Sequence, residues 1–192
     1  MKLNHISTKS DLINLFRNLG VGKGADVFVH SSLSSLGYVV NGPFDVIDAL
    51  IQIIDTNIGG VFYGCRSVAP SMMDQKYGKI INISSIAASK ASTLQGVYAA
   101  SKTAVNMLTS SLALEWADYG IRVNSIAPGI YETSMTSRAW GDPKRKQAML
   151  GRRPLSEPGD MDGLVALAIF LASPKSDYIT GQTIYIDGGL SA

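Results

Sequence analysis

The stretch Leu112-Ala113-Leu114-Glu115-Trp116-Ala117-Asp118-Tyr119-Gly120-Ile121-Arg122-Val123-Asn124-Ser125-Ile126-Ala127-Pro128-Gly129 decides the architecture. Its first part closes a helical period over Ser101–Tyr119, in which Val105, Leu108, Leu112 and Trp116 recur every three or four residues on one stripe. Its second part, Arg122–Ile126, is a short strand-like run that stops at a Pro-Gly turn. A helix that feeds such a strand is the unit of a parallel sheet, whose strands lose their polar side because helices cover both faces.

The same grammar recurs on either side. Asp26–His30 (DVFVH), Lys79–Ser84 (KIINIS) and Gln182–Asp187 (QTIYID) read as further strands. Asp11–Leu19 carries Leu12, Leu15, Phe16 and Leu19 on one helical stripe. Gly163–Ser173 is a further helix, expected to start near Ser156-Glu157-Pro158 and to close before Pro174. Helix and strand alternate four times, which predicts an α/β fold: an open parallel sheet of about four strands, with right-handed crossovers and helices on both faces.

Composition narrows the function. The chain has 192 residues, the size of one domain, and its 46% hydrophobic and 17% charged residues exclude global disorder. A formal charge of +2 gives no electrostatic case for a nucleic-acid partner or a membrane surface. The basic stretch Arg138–Arg153 has Trp140 as its one aromatic and reads as a solvated face. Cys65 is the single cysteine, so no internal disulfide and no multi-thiolate zinc site is possible, which fits a cytoplasmic protein. As a nucleophile Cys65 lacks a partnering constellation, and a buried small apolar residue is the default. Two distant histidines give no metal site. The longest apolar run, Leu164–Ala172, has nine residues and cannot span a bilayer.

The strongest chemical signal is Tyr98-Ala99-Ala100-Ser101-Lys102. On a helix, positions i and i+4 share a face, so the phenol and the ammonium point into one site. A neighbouring cation favours phenolate and suits Tyr98 to proton exchange with a carbonyl/alcohol pair. Ser85 follows a strand, at the sheet edge where open α/β sheets hold ligands, and can hydrogen-bond the same oxygen. Gly20-Val21-Gly22-Lys23-Gly24 is glycine-rich, but a helix precedes it and a strand follows. A phosphate loop needs the reverse order, so a helix cap and turn is the better account.

From about Asp55 to Ala192 the chain resembles the short-chain dehydrogenase/reductases. The resemblance is carried by TNIGGVF, GKIINISS, YAASK, LALEWADYGIRVNSIAPG, FLASP and ITGQTIYIDGG. It implies a Rossmann-like fold, truncated because the strand and TGxxxGxG loop that open a complete member have no counterpart. It implies Tyr98 as acid/base, Ser85 orienting the substrate oxygen, Lys102 on the nicotinamide ribose and Asn57 anchoring a relay water. Pro128, Gly129, Tyr131 and Thr133 would meet the nicotinamide end of NAD or NADP. Gln95, Met135, Trp140 and Tyr131 are candidates to line the pocket of a small-molecule alcohol or ketone. The family also implies a homo-oligomer, built on the helices after Asn57 and after Tyr98.

Residues 1–54 instead resemble the N-terminus of the aminoglycoside 3-N-acetyltransferases, through TKSDLINLFRNLGVGKGADVFVHSSLSSLGYVVNGPFDVIDALIQI. That likeness nominates Ser31, Ser32 and Ser34 as acetyl-CoA contacts. The order helix Asp11–Leu19, strand Asp26–His30, then Asn57 matches that of a short-chain dehydrogenase and implies that this strand docks as the fourth strand of one shared domain. Three functional readings follow: an NAD(P)-dependent oxidoreductase of a secondary alcohol or ketone, a catalytically silent fusion or truncation product, and an aminoglycoside N-acetyltransferase-related protein.

Overall fold

The computed structural model describes residues 43–90, 95–133, 140–151, 154–155 and 157–192. Three strands, β1 (Gly78–Ile83), β2 (Ile121–Pro128) and β3 (Thr183–Ile186), form a sheet in that order. Both pairings are parallel, with Ile80 opposite Val123 and Ile126 opposite Ile184. Ile121, Val123, Ile126 and Ala127 are fully inaccessible, so β2 is the centre of the core. Each Ile or Val buried in this way contributes about 1.5–3 kcal/mol. The expected fourth strand, Asp26–His30, and the helix Asp11–Leu19 lie outside the described residues. Among the described residues β1 pairs on one side only, and Ile83 at its end is 52% exposed.

Helix α1 (Pro43–Ile54) runs through a π-helical turn, Asp55–Gly59, into α2 (Gly60–Gln75). Helix α3 (Gly96–Trp116) tightens into a 3-10 turn at Ala117–Tyr119 before β2. Helices α4 (Pro143–Leu150) and α5 (Met161–Ala172) precede β3. Cys65 of α2 and Leu112 and Ala113 of α3 pack with Ile80, Ile121 and Val123 on one face of the sheet. Lys79 and Arg122, on the alternate positions, point to the other face. There the Lys79 ammonium meets Ser176 and Asp177, and the Arg122 guanidinium donates to the Asp177 carbonyl, just past α5. Helices therefore cover both faces.

Polar groups inside the core are paired. The Asn124 amide donates to Ile179 O (2.8 Å) and accepts from Gln182 N (3.0 Å), which fixes the approach to β3. Asn82 donates to Thr109 Oγ1 (2.9 Å) and so joins β1 to α3. A buried polar group left unpaired costs about 1–3 kcal/mol, so such pairs select one packing.

Helix α3 starts at Gly96, in agreement with the helical placement of Tyr98 and Lys102. One boundary differs from the sequence reading. Helix α5 starts at Met161, well past Ser156. Ahead of it Gly159 forms a parallel bridge with Tyr131, and Asp160, extended, caps the helix by accepting from Asp162 N (3.1 Å). At the other end Ser173 closes α5 before Pro174, as expected.

Candidate active site

The site grows from the carboxyl end of β1. Past Ile83 the Ser84 hydroxyl donates to Lys102 O (3.2 Å), and the Lys102 ammonium donates back to Ile83 O (3.2 Å). These two bonds tie the second turn of α3 to the strand end. Lys102 Nζ lies 5.7 Å from the centroid of the Tyr98 ring, and the two residues are 7% and 6% exposed. A cation at this distance from an aromatic face is attracted to it, which holds the pair in one arrangement. The helical spacing of Tyr98 and Lys102 has therefore become a buried phenol–ammonium pair at a sheet edge.

Asn57 reaches the same helix at the neighbouring residue, Ser101. The π-helical turn holds one more residue per turn than an α-helix, a distortion that recurs at functional sites. Asn57 is buried there, and its side-chain amide donates to Ser101 Oγ (3.0 Å). Ser101 Oγ in turn donates to Tyr98 O (2.7 Å). Ser101 is thus the link between Asn57 and Tyr98, and the sequence reading did not single it out. Its signal was present: Ser101 is a hydroxyl on the stripe that Tyr98, Val105 and Leu112 bury.

Ser85 is extended (φ −161°, ψ 158°) and accepts from Ala87 N (3.2 Å), capping the 3-10 turn Ile86–Ala88. That bond uses a lone pair and leaves the Ser85 O–H to donate elsewhere. Ser85 is half-buried, at the strand end to which Lys102 is bonded. Gln95 is half-buried at the N-cap of α3, one turn ahead of Tyr98.

A second group forms where β2 and β3 end. Pro128 is in register with Ile186, and Gly129 N donates to Ile186 O (3.0 Å). A Cβ on Gly129 would lie 2.5 Å from Asp187 Cα, so this approach requires glycine. Tyr131 is buried, its ring against Gly159 and its hydroxyl donating to Ile186 O (3.1 Å). Burial, with the nearby Asp160 and Asp187 carboxylates, pushes the Tyr131 phenol up and keeps it a donor. Thr133 is exposed. Trp140 is half-buried with Lys146 Nζ 5.2 Å from its ring, and Met135 lies outside the described residues, as do Ser31, Ser32 and Ser34.

Cys65 behaves as a core residue. It is 4% exposed, burial pushes its thiol up, and Sγ faces Asn82 Oδ1 at 3.5 Å. In the basic stretch Lys144 and Lys146 are exposed. Among the described residues no helix is long and apolar enough to cross a membrane.

Known proteins resemble this chain in sequence and fold. The family model described as enoyl-(acyl carrier protein) reductase matches residues 15–191, which begins ahead of position 55 and reaches into the segment likened to acetyltransferases. The chain is 39% identical over 171 residues to 3beta-hydroxysteroid dehydrogenase 1 of Eggerthella lenta, covering 88% of this chain and 64% of that protein. It is 38% identical over 143 residues to 2-dehydro-3-deoxy-D-gluconate 5-dehydrogenase of Formosa agariphila, covering 73% and 54%. The chain thus spans between about half and two thirds of these relatives' length. Against 3-oxoacyl-[acyl-carrier-protein] reductase FabG of Staphylococcus aureus the identity is 39% over 171 residues, covering 84% and 69%. Among solved structures, a gluconate 5-dehydrogenase from Burkholderia cenocepacia in complex with NADP and tartrate superposes with a TM-score of 0.76. It is 32% identical, over 95% of this chain and 70% of that one. A short-chain type dehydrogenase/reductase from Mycobacterium ulcerans superposes at 0.73 and 31% identity, over 75% and 52%. With a tyrosine–lysine pair seated at the end of a parallel strand and relatives of this kind, the chain belongs to the short-chain dehydrogenase/reductase family.

Proposed function

We propose that the protein is an NAD(P)-dependent oxidoreductase that interconverts a secondary alcohol and a ketone, with Tyr98 as its acid/base. The observation that carries this reading is the buried Lys102 ammonium 5.7 Å from the Tyr98 ring, bonded to the end of β1. The donor set there suits the nicotinamide half of such a cofactor. A buried ammonium and a phenol can hydrogen-bond ribose hydroxyls, and the backbone after Pro128 can meet a carboxamide. When bound, the cofactor would supply or accept the hydride.

The chain's own residues do the rest. In the reducing direction Tyr98 gives its proton to the oxygen of the reacting carbonyl, and Ser85 donates a hydrogen bond to that oxygen. Lys102 stabilises the phenolate left behind, which lowers the cost of the transfer. Asn57, fixed through Ser101 to the backbone of Tyr98, marks the inner end of the route by which a proton returns. In the oxidising direction the same groups act in reverse. The related dehydrogenases named above, including the structure with bound NADP, support this assignment.

A homo-oligomer built on α2 and α3 belongs to the same proposal. Phe62 and Tyr63 of α2 and Met107 and Leu114 of α3 are exposed at 40%, 66%, 67% and 83%, an apolar surface suited to a second copy. A cytoplasmic location is part of this reading as well.

The test has two arms. Fluorescence titration with NADH and NADPH is expected to show saturable binding in the micromolar range, about −8 kcal/mol. Tyr98→Phe is then expected to lower ketone reduction by about 10²–10⁴-fold with cofactor binding kept. No binding up to millimolar cofactor would favour a catalytically silent chain. Turnover unchanged in Tyr98→Phe would refute the role of the phenol.

A further inference from the structure

The chain between β2 and α5 leaves the sheet at Tyr131 and returns at Gly159, and the two ends are held together. Tyr131 and Gly159 form a parallel bridge, and Gly159 N donates to Ile130 O (2.9 Å). The Tyr131 hydroxyl anchors the bridge to the last strand at Ile186 O (3.1 Å). A further tie, Leu155 N to Gly188 O (3.1 Å), holds the returning chain against the turn after β3.

Gly159 explains itself sterically. It is absent from the glycines with positive φ, so its backbone conformation is open to any residue. A Cβ there, however, would lie 2.4 Å from Cε1 and Cζ of Tyr131. The ring cannot swing aside without giving up the bond to Ile186 O. The glycine and the tyrosine therefore form one device: the small residue makes the seat and the large one fills it. An aliphatic side chain at 131 could neither reach Ile186 O nor demand glycine at 159.

We propose that Tyr131 is a positioning residue: seated on Gly159 and tied to Ile186 O, it closes the neck of the 132–158 excursion. By doing so it fixes the turn after Pro128 on which cofactor binding rests, and this second part depends on the cofactor reading above. The raised pKa of the phenol serves the arrangement, since a protonated hydroxyl is needed to donate to a carbonyl.

The experiment is limited trypsin digestion of the full chain, followed at Lys144 and Lys146, which are exposed on α4, alongside NADH titration. Gly159→Ala and Tyr131→Val are each expected to speed cleavage roughly five- to tenfold, as loss of one buried tie implies. The double variant is expected to be cleaved no faster than Tyr131→Val alone, because without the ring the added methyl has nothing to displace. Tyr131→Phe keeps the ring and loses the bond, and should fall between wild type and Tyr131→Val. NADH affinity should weaken in the same order while the far-UV spectrum is unchanged. Tyr131→Leu replaces Tyr131→Val if the latter does not fold. Cleavage of Gly159→Ala at the wild-type rate, or a double variant whose effect is the product of the two singles, would overturn the neck. If wild type binds neither NADH nor NADPH, the cofactor reading falls, and digestion alone still decides whether Tyr131 closes the neck.

Discussion

Replacing Ser101 by alanine removes one oxygen and with it two hydrogen bonds. The Asn57 amide loses its acceptor at 3.0 Å, and Tyr98 O, inside helix α3, loses the second donor it held at 2.7 Å. Ser101 is 1% exposed and Asn57 4%, so water cannot readily take the place of the hydroxyl. The volume change is one atom, and the cavity contribution is correspondingly small. The cost is that of stranding a buried donor, about 1–3 kcal/mol. For a chain of this size that lowers the melting temperature by about 2–4 °C per kcal/mol. The assay is thermal and urea unfolding of Ser101→Ala, Asn57→Ala and the double variant. The reasoning requires the double variant to cost less than the sum of the singles by about 1 kcal/mol, since one bond is removed twice. Ser101→Thr, which keeps the hydroxyl, should recover part of the loss. Additive singles, or Ser101→Ala within about 0.3 kcal/mol of wild type, would refute the claim that Ser101 holds Asn57 onto α3.

Lys79 and Asp177 make a 2.7 Å ion pair whose side chains are 6% and 57% exposed. Asp177→Asn removes the charge partner of a buried ammonium but leaves its bond to Ser176 Oγ and keeps a solvated amide nearby, so urea unfolding should show a loss of about 1 kcal/mol, well short of a fully buried pair. Lys79→Met should be closer to neutral, and the reverse order would count against this account. Asp187 is held below its ordinary 3.8: burial alone would raise it, and the bonds from Ser191, Gly189 and Leu190 overcome that. A depressed folded-state value means stability that is present above about pH 4 and lost as pH falls through the folded value. Melting temperature followed downward from pH 5 should therefore fall, and Asp187→Asn should be less stable at pH 7 with a flatter acid limb. An acid limb of unchanged steepness in that variant would remove Asp187 from the explanation.

Much of the sheet was legible because its strands are short β-branched runs with turns at fixed places. Lys79–Ser84, Arg122–Ile126 and Gln182–Asp187 lie within two residues of β1, β2 and β3. Tyr98 and Lys102 were legible for a similar reason, since helical spacing dictates that they share a face. What the sequence hid are features set by contacts between distant segments. The start of α5 is delayed by a bridge to Tyr131, and no local propensity encodes it. The π-helical turn around Asn57 is likewise invisible to periodicity, although its consequence, an amide aimed at Ser101, places Asn57 beside the helix of Tyr98. Tyr131 was expected to face the cofactor and the substrate pocket, and the tie that its hydroxyl makes to Ile186 O of β3 had no signal in the sequence.

The π-helical turn also makes the chain intolerant of a change in length. Five residues, Asp55–Gly59, carry α1 into α2 with the extra residue absorbed in a widened turn. Losing one of them would turn α2 by about 100° relative to α1. Cys65, now against the sheet, would rotate away from it, Ala69 would lose its buried place, and Asn57 would leave Ser101. A single-codon deletion in this stretch thus strikes the core and the candidate site in one lesion, whereas a surface loop absorbs such a deletion. The phasing of these helices is information as specific as the identity of any residue they carry.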